Sequence, residues 1–141
     1  CVAMLDIDFF KKVNDTYGHD KGDMVLRTLS RVISQYTDDT IHAGRYGGEE
    51  FLILFSGYTR KQAGKILEGM LTNFRNPEYD FLPEDVIITF SAGFTYLDNK
   101  NIDVEGFIKC ADEALYYSKE HGRNQITYYN DLRLRDMQVN R

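Results

Sequence analysis

The chain is short of cysteine, proline and long apolar runs, and its positive charge is outweighed by negative charge. Cys1 and Cys110 are the only two cysteines and form no CxxC pair. Cys110 falls among apolar helix positions, so buried thiols are expected rather than a disulfide framework or a zinc site. The apolar runs are only a few residues long, and no basic region followed by an apolar core opens the chain. That pattern predicts neither a membrane span nor a signal peptide, and gives the domain a cytoplasmic character while leaving membrane anchoring of a longer protein open. Lys and Arg number 17 against 22 Asp and Glu, for a net charge of -5. A duplex nucleic-acid binder needs a basic face, so that class is excluded. An acidic protein that handles phosphates needs a divalent cation.

What is present is an ordinary globular composition: 141 residues, 43% hydrophobic and 28% charged, enough for one domain with a real core. The stretch Arg45-Tyr46-Gly47-Gly48-Glu49-Glu50-Phe51 organises the rest. A paired glycine permits positive φ and a tight reversal, so Gly47-Gly48 between Ile41–Tyr46 and Phe51–Phe55 reads as a hairpin tip carrying Glu49 and Glu50. Two adjacent carboxylates repel by roughly 4 kcal/mol at ~4 Å and an effective dielectric of ~20, so the pair belongs in bulk water or beside a cation.

Upstream, Val2 to Asp8 is an apolar run without alternation, which fits a central strand buried on both faces. Asp6 and Asp8 are expected at or near its exposed end, because a buried strand tolerates Asp only when it is paired or metal-bound. The run begins with the first residue, and an upstream segment is expected to precede it. Phe9 to Tyr17 reads as a helix, Gly18 to Gly22 as a break, and Asp23 as the N-cap of a second helix with its core stripe on Val25, Leu29, Val32, Ile33 and Tyr36. Thr59 and Gln62 form a capping box before a helix whose inner face is Ala63, Ile66, Leu67, Met70, Leu71 and Phe74. A loop with both prolines spans Asn76 to Asp85, and Val86 to Tyr96 is β-branched and aromatic, hence a strand in which the Ser91-Ala92-Gly93 stretch admits close backbone approach. Asp103 caps a last helix running to Gly122, Gln125 to Tyr129 closes as a short strand, and residues 130–141 read as a tail, linker or peripheral helix. The order is β-α-α-β-β-α-β-α-β, an α+β class with a mixed sheet, a central hairpin and helices packed on it. If the first strand neighbours the hairpin, Asp6 and Glu49 converge with a backbone carbonyl such as that of Ile7 on a hard cation, most simply Mg²⁺.

The motifs Leu5-Asp6-Ile7-Asp8-Phe9-Phe10-Lys11, Asn14 to His19, Gly22-Asp23, Arg45 to Phe51, Ala111 to Tyr116 and Lys119 to Asn124 together resemble the GGDEF-type diguanylate cyclases, in a GGEEF variant. The resemblance covers residues 1 to about 129, which it implies are the catalytic domain, without the family segment that precedes the first strand. It implies a palm-like fold with a ferredoxin-like core, as in class III nucleotide cyclases. It also implies condensation of two GTP molecules into cyclic di-GMP with release of pyrophosphate, in bacterial second-messenger signalling. By the same resemblance Asp6, the Ile7 carbonyl and Glu49 are metal ligands for Mg²⁺ or Mn²⁺, two ions per site. Glu49 is the essential acid and candidate base, and Glu50 is a second acid that ligates or orients. Asn14 and Asp23 read guanine, with His19 a candidate contact nearby. Phe9, Phe10 and Lys11 surround the terminal phosphates, and Lys119 with Arg123 clamps them. A second copy of the domain completes the reaction, and an upstream sensory domain is implied. The Arg-x-x-Asp inhibitory motif of many members is absent, Asp38 and Ile41 standing at its two ends. The competing reading is a catalytically silent module that binds GTP or a protein partner. His42 and His121 have no assigned role.

Overall fold

The computed structural model describes residues 1–97 and 103–132. Its elements follow the expected order: β1 Val2–Ile7, α1 Phe10–Tyr17, α2 His19–Ser34, β2 Ile41–Arg45, β3 Glu50–Phe55, α3 Arg60–Arg75, β4 Phe90–Thr95, α4 Val104–Glu120 and β5 Ile126–Tyr128. They build one five-stranded sheet in the order β2-β3-β1-β4-β5. The β2-β3 hairpin, central in the sequence, lies at one side of the sheet, and β1 is the middle strand. β1 runs antiparallel to both β3 and β4, and β4 runs parallel to β5. All six residues of β1 are buried, as its continuous apolar run requires.

One sheet face carries Ala3, Leu5, Ile53, Phe55, Phe90 and Ala92 into the main core, which α1, α2 and α3 close with Val13, Leu29, Leu67, Met70 and Phe74 among others. The other face packs Val2 and Met4 against Ala111 and Leu115 of α4. Gly93 sets how closely α4 approaches: a Cβ there would lie 2.0 Å from the Leu115 nitrogen and 2.4 Å from the Ala111 carbonyl oxygen. Ser118 then donates to the Ala92 carbonyl at 2.7 Å and lies 2.7 Å from the Thr127 hydroxyl, tying α4 to β4 and β5. The Thr59–Gln62 capping box and the Asp103 cap, accepting from the Gly106 N–H at 2.8 Å, begin α3 and α4 as expected.

Several expectations are corrected. Helix α2 starts at His19, not after Asp23. The break is Gly18 alone (φ 96°), which ends α1 and precedes α2, while Gly22 and Asp23 are helical. Neither Gly47 nor Gly48 has positive φ. The turn is instead closed by Tyr46 and Gly47 N–H groups on the Glu50 carbonyl (2.9 and 3.4 Å) and by Arg45 Nη2 on the Gly48 carbonyl (2.5 Å). Strand β4 begins at Phe90, not Val86, because β1 turns away into α1 after Ile7 and leaves residues 86–89 little to pair with. Asp6 and Asp8 are buried, not exposed at the strand end. Both cysteines are free and only half-buried. Residues 129–132 form a helical turn, with Asp131 3.4 Å from Arg60. The rest of the expected tail lies outside the described residues.

Candidate active site

The end of β1 gathers the acids. Asp6 is paired in register with Glu50 on β3 and with Ser91 on β4, and the Ile7 N–H donates to the Glu49 carbonyl at 3.4 Å. The pairing puts the strand end and the hairpin tip side by side, as the expected convergence of Asp6, Ile7 and Glu49 requires. Lys119, the penultimate residue of α4, reaches across to place Nζ 2.5 Å from Asp6 Oδ2. Burial raises the Asp6 carboxyl above the usual carboxylate range, the Lys119 hydrogen bond and charge oppose that rise, and the charges of Glu49 and Asp8 add to it. Glu50 is also raised, first by burial and then by the charges of Asp6 and Asp112. The acids therefore repel one another in a partly dehydrated place, and Lys119 is the cation that partly offsets them.

That geometry fits a divalent cation of low protein coordination. Among the described residues no three His, Cys, Asp or Glu side chains form a metal cage. Mg²⁺ is bound by one or two carboxylates with water and substrate phosphates filling the remaining positions, so a complete protein cage is not required. Asp6 already sits against an ammonium, and hard oxygen donors from Glu49 and Glu50 border it.

Beyond Ile7 the chain turns sharply. Phe9 adopts φ 57° and Phe10 opens α1, whose N-terminus has no side-chain cap. The first amides of α1 are thus free of intrahelical partners, the arrangement that binds anions at helix starts. Phe9 is 60% exposed rather than a core aromatic, and the Arg123 guanidinium lies 4.6 Å over its ring. Phe10 is half-buried against the core. Lys11 points to solvent, with Asp15 3.7 Å away. Arg123 Nη1 lies 3.8 Å from Asp8 Oδ1, so both expected phosphate cations stand against an aspartate of β1 or its extension.

Asn14 and Asp23 come from two helices that pack on each other, α1 and α2. Gly22 makes their approach possible: a Cβ on Gly22 would lie 1.7 Å from Asn14 Oδ1 and 3.3 Å from Phe10 Cζ. Asn14 lies directly over Gly22, whose chain neighbour Asp23 is exposed. His19 is exposed at the first residue of α2, three residues before that contact. Two residues of consequence went unassigned by sequence reasoning, Gly22 and Asp8. The spacing gave Gly22 only as a helix break. Asp8 carried a usable signal, since a second acid in a buried strand demands partners.

The positions matching the inhibitory motif are otherwise engaged. Asp38 Oδ1 accepts from the Thr40 N–H (2.7 Å), the Thr40 hydroxyl (2.6 Å) and the Ile41 N–H (3.0 Å), an Asx-type turn that launches β2. These bonds hold its carboxyl below the usual range, the Thr40 hydroxyl first. Ile41 is buried in the core.

Sheet order and site together define an α+β domain with the palm-like architecture of nucleotide cyclases. Residues 1–125 match the family model described as diguanylate cyclase, GGDEF domain, and the chain belongs to that family. It is 36% identical over 129 residues to diguanylate cyclase A of Treponema denticola, covering 89% of this chain and 34% of that protein. It is 35% identical over 129 residues to a diguanylate cyclase of Vibrio cholerae, covering 92% of this chain and 39% of that one. The chain thus spans between a third and two fifths of the length of these two curated relatives. Among solved structures it is similar to the GGDEF domain of DgcB from Caulobacter crescentus in complex with c-di-GMP. The TM-score is 0.85 at 34% identity, over 92% of this chain and 77% of that one. It is also similar to the active GGEEF domain of a diguanylate cyclase from Vibrio cholerae, with TM-score 0.81 and 34% identity over 91% of this chain and 81% of that one. No helix among the described residues is long and apolar enough to cross a membrane.

Proposed function

We propose that residues 1–129 are a diguanylate cyclase catalytic domain that condenses two GTP molecules into cyclic di-GMP and two pyrophosphates. The observation that carries this reading is the junction at the end of β1. There Asp6, in register with Glu50 and beside Glu49, stands 2.5 Å from a Lys on α4. Acids for a metal and cations for phosphates meet at one point.

The guanine sits against Asn14 and Asp23. Guanine offers N1–H and N2–H₂ donors that the Asp23 carboxylate accepts, whereas adenine presents an acceptor at N1 and no 2-amino group. The terminal phosphates lie at the amides of Phe9, Phe10 and Lys11, with Lys119 and Arg123 as counter-charges. His19 borders the base. Mg²⁺ or Mn²⁺, two ions per site held by Asp6, the Ile7 carbonyl and Glu49, would supply charge neutralisation at the α-phosphate. Glu49, with Glu50 beside it, holds the position from which the attacking 3′-hydroxyl loses its proton. The GGEEF domain of the Vibrio cholerae enzyme is described as active, which supports reading Glu49 as a working acid. Each domain holds one GTP, so the reaction needs a second copy in a two-fold arrangement. The domain works in the cytoplasm under an upstream sensory domain, without nucleic acid or membrane contact of its own.

Incubation with GTP and Mg²⁺ over a hundredfold range of enzyme concentration tests this reading, with products identified by mass. Cyclic di-GMP should appear, and specific activity should rise with concentration as dimers form. GTP binding without any cyclic product at the highest concentration would establish the silent module instead, and a flat specific activity would remove the on-demand dimer.

A further inference from the structure

We propose that Asp8 is a positioning residue for the nucleotide phosphates: it fixes the Gly122-Arg123-Asn124 turn, and with it the Arg123 guanidinium, against the end of β1. The proposal rests on the reading of Arg123 as a phosphate ligand and adds the group that sets its place.

Asp8 follows β1 and its side chain is 1% exposed. Three hydrogen-bond donors and one guanidinium, from two parts of the chain, converge on its two oxygens. The Ser91 hydroxyl donates to Oδ1 at 2.6 Å, the Thr89 hydroxyl to Oδ2 at 2.6 Å and the Asn124 N–H to Oδ2 at 3.0 Å, and Arg123 Nη1 lies 3.8 Å from Oδ1. Its own N–H donates to the Thr89 carbonyl at 2.9 Å. A carboxylate so filled has little capacity left for a metal, which separates Asp8 from Asp6 two residues earlier.

The turn it holds is unusual. Gly122, Arg123 and Asn124 have φ of 109°, 63° and 49°, three successive left-handed residues of which two carry a Cβ. Such conformations persist where the surroundings over-determine them, and they gather at functional sites. Here the Arg123 N–H is held by the Ser118 carbonyl at 2.9 Å and the Asn124 N–H by Asp8. Phe9, directly after Asp8, is left-handed too, and its exposed ring lies beneath the Arg123 guanidinium. Asp8 thus joins two strained segments, one presenting a cation and the other opening α1. Gln125 also ties the turn, its side chain donating to the His121 and Arg123 carbonyls at 2.6 and 3.1 Å and its carbonyl accepting from the Ala92 N–H at 2.9 Å, but only Asp8 accepts from the Asn124 N–H and faces the Arg123 guanidinium. Replacing the carboxylate by an amide removes the charge that faces Arg123 and, in either orientation, puts an NH₂ group against either the Asn124 N–H or the Arg123 guanidinium, which loosens the turn.

The test uses the whole domain in four forms: unaltered, Asp8→Asn, Arg123→Ala and the double variant. Amide hydrogen exchange at Asn124, without nucleotide, reads the turn. Calorimetry with guanosine 5′-(α,β-methylene)triphosphate and Mg²⁺ reads the phosphate site. Asp8→Asn should speed Asn124 exchange and weaken the analogue about tenfold, yet weaken it less than about twofold when Arg123 is already Ala, because interacting residues are non-additive. Equal weakening in both backgrounds, or unchanged Asn124 exchange, would overturn the proposal. Should Asp8→Asn fail to fold, Thr89→Val removes one donor and keeps the charge, and the same coupling with Arg123→Ala is expected at about threefold. If the analogue does not bind the unaltered domain, the nucleotide reading fails and the exchange at Asn124 alone decides the turn. If it binds but Arg123→Ala leaves it untouched, the role given to Arg123 fails, and the positioning of phosphate by Asp8 fails with it.

Discussion

Gly22→Ala separates the stability of the helix pair from what the pair presents. The new methyl would stand 1.7 Å from Asn14 Oδ1, 2.8 Å from its Cγ and 3.3 Å from Phe10 Cζ. The first two distances cannot be kept, so Asn14 must rotate. It can do so, because the obstructing atoms end a side chain rather than belong to backbone. Gly22 is helical, so Ala gains roughly 1 kcal/mol of helix propensity there. Local repacking costs about 1–3 kcal/mol. The two terms nearly offset, and the thermal midpoint should move by only a few degrees. On the proposed reading of Asn14 as a guanine contact the effect on the base is not offset, because the displaced amide would no longer meet it and those hydrogen bonds would be lost. That loss is about 1–3 kcal/mol, which is roughly 5- to 150-fold in affinity.

The assay is the KM for GTP together with calorimetric binding of GTP to enzyme without metal, alongside Asn14→Ala. The two variants should be impaired to a similar degree, and the double variant should be no worse than either one, since both remove the same interaction. Near-native GTP affinity in Gly22→Ala, with a clear loss in Asn14→Ala, would show that the Asn14–Gly22 contact does not govern how the amide is presented. A fall of many degrees in thermal midpoint would show that Asn14 is held in place more firmly than its contacts suggest.

Glu49→Gln and Asp6→Asn should each lower turnover by at least about a hundredfold, roughly 2.7 kcal/mol in barrier, with the circular dichroism spectrum unchanged; near-full activity in Glu49→Gln would contradict the metal assignment. Asp6 and Glu50 have folded-state pKa values raised chiefly by burial, so their contribution to stability is fully present below the unfolded pKa and is lost as pH rises through the folded value. Denaturant midpoints of the metal-free domain should therefore carry a falling component across that window, and this component should shrink in Asp6→Asn; an identical pH profile in that variant would refute the sign. Asp38 is bonded within its own turn and Ile41 is buried, so cyclic di-GMP should not inhibit through that surface, and low-micromolar noncompetitive inhibition that survives blocking of the GTP site would sink the idea.

Local chemistry made most of the fold legible. Continuous apolar residues gave β1, Thr59 and Gln62 gave the start of α3, and the small residues Ser91-Ala92-Gly93 gave a close backbone approach in a strand, which the fold makes with α4 at Gly93. The misplacements arise where a local preference met something the local composition does not show: an earlier break at Gly18 and a close contact at Gly22, a different turn closure at Gly47-Gly48, and a missing partner at Val86 to Thr89. Asp23 is a favourable N-cap, yet Gly18 already breaks the chain and Gly22 is required inside α2, where it makes room for Asn14. Gly47-Gly48 permits positive φ, but the wider turn closed by Arg45 and the Glu50 carbonyl does not need it. Val86 to Thr89 has strand composition, and composition cannot supply a partner once β1 has ended.

The site divides along the same line. Residue type and order in the sequence marked Asp6, Glu49 and Glu50 as acids at a strand end and a hairpin tip, whereas Lys119 and Arg123 were marked by the resemblance of the Lys119 to Asn124 motif. Which acid meets which cation is a pairing across more than a hundred positions, and only the folded sheet decides it. Asp6 and Asp8 lie two apart on β1 and its extension, so strand alternation alone would give them the same face and the same duty. The fold gives Asp6 the Lys119 ammonium and the neighbouring Glu50, and gives Asp8 two hydroxyls, an amide and Arg123. Asp6 is left under charge repulsion that a cation relieves, whereas Asp8 is satisfied by hydrogen bonds and holds a turn. β1 ends at Ile7, between the two acids, so Asp6 keeps its ladder partners while Asp8 falls on the turn that leads to left-handed Phe9.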